Sequence, residues 1–177
     1  MSFRTQFDID FDLDWKPEAT LIRTASSSPS DQKIIQAPYK GALTIIEYAT
    51  DIPQYEVIRD NDKFLMRFPF GGIILPGEKP VDGAKRESRE EVGLQLGKMT
   101  KDNFIGEFNC GPNCTHFVFA KRLPAELKHT VVLGEEQKDH AAMLETTIDR
   151  YISNGMFSPN HANAWVEFKK WRVGKSY

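Results

Sequence analysis

Between Pro80 and Gly93 the chain changes period, and that change restricts its fold more than any other feature. Before it, branched and aromatic residues come in short runs, "GALTIIEYA", "YEVIRD" and "KFLMRFPF", separated by Asp, Pro and Asn, which is the punctuation of strands. In "PVDGAKRESREEVG" the interval is helical instead, and Val81, Ala84, Ser88 and Val92 line one stripe. Pro80 suits a first helical position, where its missing N–H is harmless, and Gly93 is the residue type most able to end a helix in a left-handed conformation. A helix with one such stripe can pack on a sheet while its other faces meet a cleft. Further strands are predicted at "NFIGEFN" and "THFVFAKRL", followed by an acidic loop, "GEEQKDH". Two closing helices are predicted, in "AAMLETTIDRYISNG", with Met143, Ile148 and Ile152 near helical spacing, and in "PNHANAWVEFKKW" after a Ser-Pro.

The N-terminal stretch "FDIDFDLDW" alternates strictly, with four aspartates on one side, as a half-buried strand would. A flat strand does not wrap oxygens around an ion, so those aspartates read as a solvated or protected strand face. A second strand is expected at "ATLIRTA", and the Ser/Pro-rich "SSSPSDQ" after it places a soft boundary near residue 35. The expected organisation is an N-terminal antiparallel β element over 1–35 and a main domain over 36–177.

At 177 residues with a formal net charge of −2, the chain lacks the basic excess of a dedicated nucleic-acid binder. No run approaches the roughly 18 apolar residues of a membrane span, and the start has no secretory apolar core. A soluble, cytoplasmic protein acting on small molecules is expected. Cys110 and Cys114 in "CGPNC" are the only cysteines, and they read as a Gly-Pro-Asn turn, with a disulfide or redox pair as the alternative.

The helix carries a puzzle. Glu87, Glu90 and Glu91 stand three and four positions apart, so their carboxylates stack on one face. Like charges there destabilise by a few tenths of a kcal/mol per pair, roughly, unless something offsets them. A hard cation does so, and Mg²⁺ in particular favours a few carboxylates plus water and substrate phosphates. Such an ion polarises a phosphoryl oxygen and lowers the pKa of a bound water, which points to a metal-chelated diphosphate as substrate. A merely solvated charged helix face is the competing reading.

The spacing around this face is specific. Gly72, five residues, Glu78, seven residues and then "RESREEVGL" span 23 positions. This stretch resembles the signature of the Nudix hydrolases, with every fixed polar or glycine position filled and Ser88 standing where an aliphatic residue is usual. The resemblance implies an α/β/α sandwich with a mixed sheet, and a Mg²⁺-dependent activity with Mn²⁺ as the alternative ion. It also implies Glu87, Glu90 and Glu91 as catalytic metal ligands, a further oxygen from the Gly72 carbonyl, Arg86 orienting a glutamate, and Glu78 supporting the metal shell.

Two outlying segments are similar to the branch that cleaves ADP-ribose and nucleoside diphosphate sugars: "CGPNCTHFVFAKRL", and the ending "IDRYISNGMFSPNHANAWVEF". That branch implies a catalytic glutamate from the acidic loop, here Glu136 ahead of Glu135, and a homodimer joined through the N-terminal strands. Arg59 and Arg67, in strands leading to the box, are candidate substrate-binding residues because a guanidinium grips a diphosphate bidentately. No histidine is assigned a catalytic role. The expected products are a nucleoside monophosphate and a sugar phosphate. Two alternatives stay open: the same fold acting on nucleoside triphosphates, dinucleoside polyphosphates or capped RNA, and a non-catalytic nucleotide-binding regulator.

Overall fold

The computed structural model describes residues 39–111 and 113–175. The β element expected over residues 1–35, with its subunit-pairing role, lies outside the described residues. Strands β1 (Tyr39–Ala49), β2 (Gln54–Asp60), β3 (Phe70–Ile73), β4 (Phe104–Gly111), β5 (Cys114–Pro124) and β6 (Gln137–Leu144) form one mixed sheet. Its order is β4-β5-β1-β2-β6. Helix α1 (Pro80–Val92) follows β3, and α2 (Glu145–Ser153) and α3 (Pro159–Val173) close the chain.

β1 is the spine. β5 runs parallel to it along its whole length, while its other edge is shared, β3 pairing with its start and β2 with its end, both antiparallel. Both edges of β1 are therefore paired, and helices cover both of its faces, which suits its run of branched residues. Alternation splits them between two cores. Ala42, Ile46 and Tyr48 meet Val81, Ala84 and Val92 of α1 on one side. Leu43 and Ile45 share the other side with Ile148 of α2 and Trp165 and Phe168 of α3. The result is the expected α/β/α sandwich. Trp165 is fully buried, stacks on Phe168 with ring centroids 5.3 Å apart, and donates its indole N–H to Asp149 at 2.8 Å. An aromatic anchor that also satisfies its polar atom fixes α3 against the sheet.

Helix α1 forms at the bounds its sequence predicts. Pro80 opens it, and Gly93, at φ 70°, ends it with its N–H on the Arg89 carbonyl at 3.0 Å. Two segments and one side chain differ from expectation. "KFLMRFPF" contributes only isolated bridges at Met66 and Arg67, and the strand begins at Phe70. Pro69, which has no N–H to give, separates the two. The acidic "GEEQKDH" runs into strand β6, which includes Ala141–Leu144, so α2 starts at Glu145 and Met143 pairs with Tyr55 across the sheet. Glu91 does not stay off the buried face: it is 8% exposed, beside Ser88 at 1%.

The sheet also buries acid. Glu56 is fully enclosed, accepting from Tyr48 Oη at 2.8 Å, with His140 Nδ1 at 3.0 Å from its other oxygen. Burial raises its pKa against those partners. Among the described residues no helix is long and apolar enough to cross a membrane.

Candidate active site

Glu87, Glu90 and Glu91 all face one cleft of about 1140 Å³. They are held there by two arginines. Arg86 donates Nε and Nη2 to the two oxygens of Glu78 at 2.9 and 3.0 Å, and Nη1 to Glu90 at 3.0 Å and to Glu87. Its Nη2 also reaches the Ile73 carbonyl at 3.4 Å. One guanidinium thus ties the end of β3, the glycine-containing loop and the helix together. Glu78 additionally accepts the Leu75 N–H at 2.9 Å, and the hydrogen bonds from Arg86 hold its carboxyl below the ordinary range.

Arg67 plays the matching part on the buried side. Its Nη2 donates to Glu91 at 2.7 Å and its Nε to Asp60 at 2.9 Å, while Nη1 reaches the Phe68 carbonyl at 3.2 Å. Burial opposes the charge on Arg67, yet the hydrogen bonds to Glu91 and Asp60 raise its pKa. Burial would likewise raise Asp60, but Arg67 and Lys63 bring it below the usual value. Arg67 therefore lines the cleft with its donors engaged by protein. Arg59 pairs with Asp139 and is not among the cleft-lining residues.

Glu135 and Glu136 enter the cleft through a close docking of their loop on the C-terminus of α1. Val132 N–H bonds the Val92 carbonyl at 3.1 Å and Gly134 N–H bonds the Glu91 carbonyl at 3.0 Å. These bonds satisfy carbonyls that a helix end leaves without intrahelical donors. Gly134 sits so tightly that an added Cβ would lie 2.5 Å from the Glu90 carbonyl oxygen and 2.7 Å from Gln137 Oε1. Replacing Gly134 with Ala is expected to destabilise the protein by about 1–3 kcal/mol, as overpacking does, and to lower kcat as the acidic loop moves away. Urea unfolding with steady-state kinetics measures both, and an unchanged stability would show that the loop yields freely.

Sequence reasoning missed other lining residues. Tyr39 from the start of β1, Asp60 at the end of β2, Asn61 and Lys63 just after it, His116 from β5, and Asn160 and His161 from α3 all border the cleft. None lies within the box, so sheet pairing and the packing of α3 on the sheet bring them in. His161 is 4% exposed and accepts the Phe68 N–H at Nδ1, 3.2 Å away. Burial pushes it well below the normal histidine value, so it stands neutral as a packing and hydrogen-bonding group.

The donor set fits a hard divalent cation. Glu87, Glu90 and Glu91 offer carboxylate oxygen, and Asp60, Asp62, Glu135 and Glu136 add further acid, against Lys63 and Arg67 as the lining cations. A bare diphosphate would be repelled from such a cleft. Among the described residues the three helix carboxylates do not gather within 4.8 Å of one another. Arg86 compensates Glu87 and Glu90 together, and Arg67 compensates Glu91.

Comparison with known proteins agrees with this geometry. The NUDIX domain model matches residues 55–164. No curated protein matches the chain by sequence. Among solved structures, the Ap4A hydrolase of C. elegans superposes with a TM-score of 0.63 at 14% identity, covering 77% of this chain and 99% of its own. The MutT protein of Methanosarcina mazei Go1 gives 0.58 at 17%, covering 80% and 99%. The NUDIX domain of Shewanella oneidensis NrtR, complexed with ADP ribose, gives 0.59 at 11%, covering 80% and 93%. At these identities the superpositions establish the fold, and the domain match, spanning more than half the chain, establishes the family: this chain belongs to the Nudix family of pyrophosphohydrolases, enzymes that work with divalent metal ions.

Proposed function

We propose that the cleft hydrolyses a nucleoside diphosphate linked to another group, with ADP-ribose or a nucleoside diphosphate sugar as the preferred class. The observation that carries this reading is the acid-dominated cleft with three helix carboxylates on its wall, which admits a phosphoanhydride only together with cations. Glu87, Glu90 and Glu91, with the Gly72 carbonyl, would hold Mg²⁺ or Mn²⁺. The bound ion supplies charge neutralisation and Lewis-acid polarisation of the phosphoryl oxygens.

The chain's own groups do the rest. Arg86 and Glu78 are positioning residues that keep Glu87 and Glu90 directed at the cleft. Glu136 serves as general base, taking a proton from the attacking water, whose oxygen bonds to phosphorus as the bridging anhydride oxygen leaves. Lys63, with a side chain 62% exposed at the cleft, meets the phosphates. Tyr39 offers a ring for the base. Arg67 acts through Glu91 in this reading, and substrate contact is not assigned to Arg59.

A second reading is favoured by size. The cleft slightly exceeds the roughly 300–1,000 Å³ of ordinary ligand sites, so a dinucleoside polyphosphate is also accommodated. Capped RNA is less favoured, because its chain calls for a basic track and the lining is acidic. Incubation with ADP-ribose, nucleotide sugars, dinucleoside polyphosphates, nucleoside triphosphates and capped RNA, each with Mg²⁺ or Mn²⁺, followed by product analysis, tests the choice. Release of a nucleoside monophosphate and a sugar phosphate is expected. Turnover confined to polyphosphates would move the assignment to the second reading, and tight nucleotide binding without turnover would make the protein a regulator.

A further inference from the structure

Away from the glutamates, the tip of the β4–β5 hairpin gathers a different chemistry. Cys110 and Cys114 are joined as a disulfide with Cα atoms 5.1 Å apart, and His116 follows two residues later on the same face of β5. The Cys114 Sγ lies 3.7 Å from His116 Nε2, and one ligand atom from each of the three residues falls within a 4.8 Å sphere of separations. Among the described residues this is the one grouping of three or more Cys, His, Asp or Glu whose ligand atoms approach so closely.

The surroundings make the grouping accessible and fixed. The hairpin tip is anchored to the sheet by Tyr39 N–H on the Asn113 carbonyl at 2.6 Å, and by Gly41 pairing with His116. Cys114 and His116 border the large cleft, while Cys110 and His116 border a small cavity shared with Asn160. A disulfide closing so short a loop, with the two residues four apart, restricts little of the unfolded chain, so stabilisation is a weak account of the pair. The Cys-x₃-Cys spacing and the sulfur–nitrogen separation both suit tetrahedral zinc, whose bonds of about 2.3 Å to sulfur and 2.0–2.1 Å to nitrogen set ligand atoms roughly 3.5–3.8 Å apart.

We propose that the reduced protein carries a second cation site, in which the Cys110 and Cys114 thiolates and the His116 imidazole bind Zn²⁺. The carboxylate site favours a hard ion, whereas thiolate and imidazole ligands favour a soft or borderline one, so this site selects Zn²⁺ over Mg²⁺. Forming the site requires a dithiol or phosphine reductant. A dithiol passes two electrons and two protons to the S–S bond and itself becomes a disulfide. Zinc binding then releases the two thiol protons to solvent. Disulfide and metal are mutually exclusive states of one hairpin tip, and the fourth coordination position is left to water.

Co²⁺ titration of the full chain, reduced anaerobically with a phosphine, tests this. Because the chain has two cysteines in all, any sulfur-to-cobalt charge-transfer band reports on this site alone. The expected result is a band saturating at one equivalent, bleached by Zn²⁺, untouched by Mg²⁺ and lacking in oxidised protein. Cys110→Ser should roughly halve its intensity, and His116→Gln should weaken cobalt binding about tenfold or more. Cys110 is half-buried at a hairpin end, so its variant remains informative if His116→Gln, altering a residue 6% exposed, does not fold. Absence of the band at millimolar Co²⁺, or a band unaltered in Cys110→Ser, overturns the proposal and leaves the pair as a structural disulfide.

Discussion

Replacing Glu91 with Gln is expected to lower kcat by about 10²–10⁴-fold while the protein still folds, the range that loss of one catalytic group commonly produces. Gln keeps an oxygen for the Arg67 Nη2 that now reaches Glu91 at 2.7 Å, so the local packing survives. What it lacks is the charge that holds a cation. Steady-state kinetics with Mg²⁺, together with thermal unfolding, separates the two effects. Full activity in a well-folded Glu91→Gln protein would remove this carboxylate from the chemistry and with it the proposed metal set.

Arg67 gives the largest expected stability effect. Its side chain is 12% exposed and lies between the carboxylates of Asp60 and Glu91, whose side chains are 9% and 10% exposed. Arg67→Met keeps the apolar stem but leaves two nearly buried carboxylates without their shared cation. Breaking such a pair costs about 3–5 kcal/mol, measured here by denaturant unfolding at pH 7.

The pH dependence has a definite sign. In the parent protein the Asp60 pKa is depressed, so its stabilising contribution is complete above the ordinary aspartate value near 4 and is lost as pH falls through the folded value. In Arg67→Met burial raises Asp60 without that cation to oppose it, so the deficit should shrink as pH falls from 7 toward the depressed parent value. A deficit that is constant over that range would mean that Arg67 contributes packing and no charge compensation.

The parts of this site that were legible in the sequence are those carried by one segment. The stripe Val81, Ala84, Ser88, Val92, bounded by Pro80 and Gly93, specifies helix α1 locally, and the three glutamates follow from its geometry. The branched runs of β1, β2, β4 and β5 are equally local signals. Strand β6 is not, because Lys138, Asp139 and His140 interrupt any apolar alternation, and its strand character comes from pairing with β2. The burial of Glu91 is illegible for a similar reason: its partner lies 24 residues away, and an isolated helix would leave that carboxylate in water. Tyr39, Lys63 and His116 reach the cleft by topology alone. The disulfide was one of two open readings of "CGPNC", and the nearness of His116 to it depends on the register of the hairpin.

The way the chain from Val132 to Gly134 leans on helix α1 has a further implication. Its amides complete the helix where backbone donors run out, and the glycine at its end touches the carbonyl of a residue that itself points into the cleft. Any length change in those three residues would be felt at once by Glu90, Glu91, Glu135 and Glu136. The four carboxylates are mechanically a single part, and the turn after β2 is tied to it, because Asn61 donates its N–H to the Glu136 carbonyl at 2.9 Å and its Nδ2 to the Glu135 carbonyl at 2.8 Å.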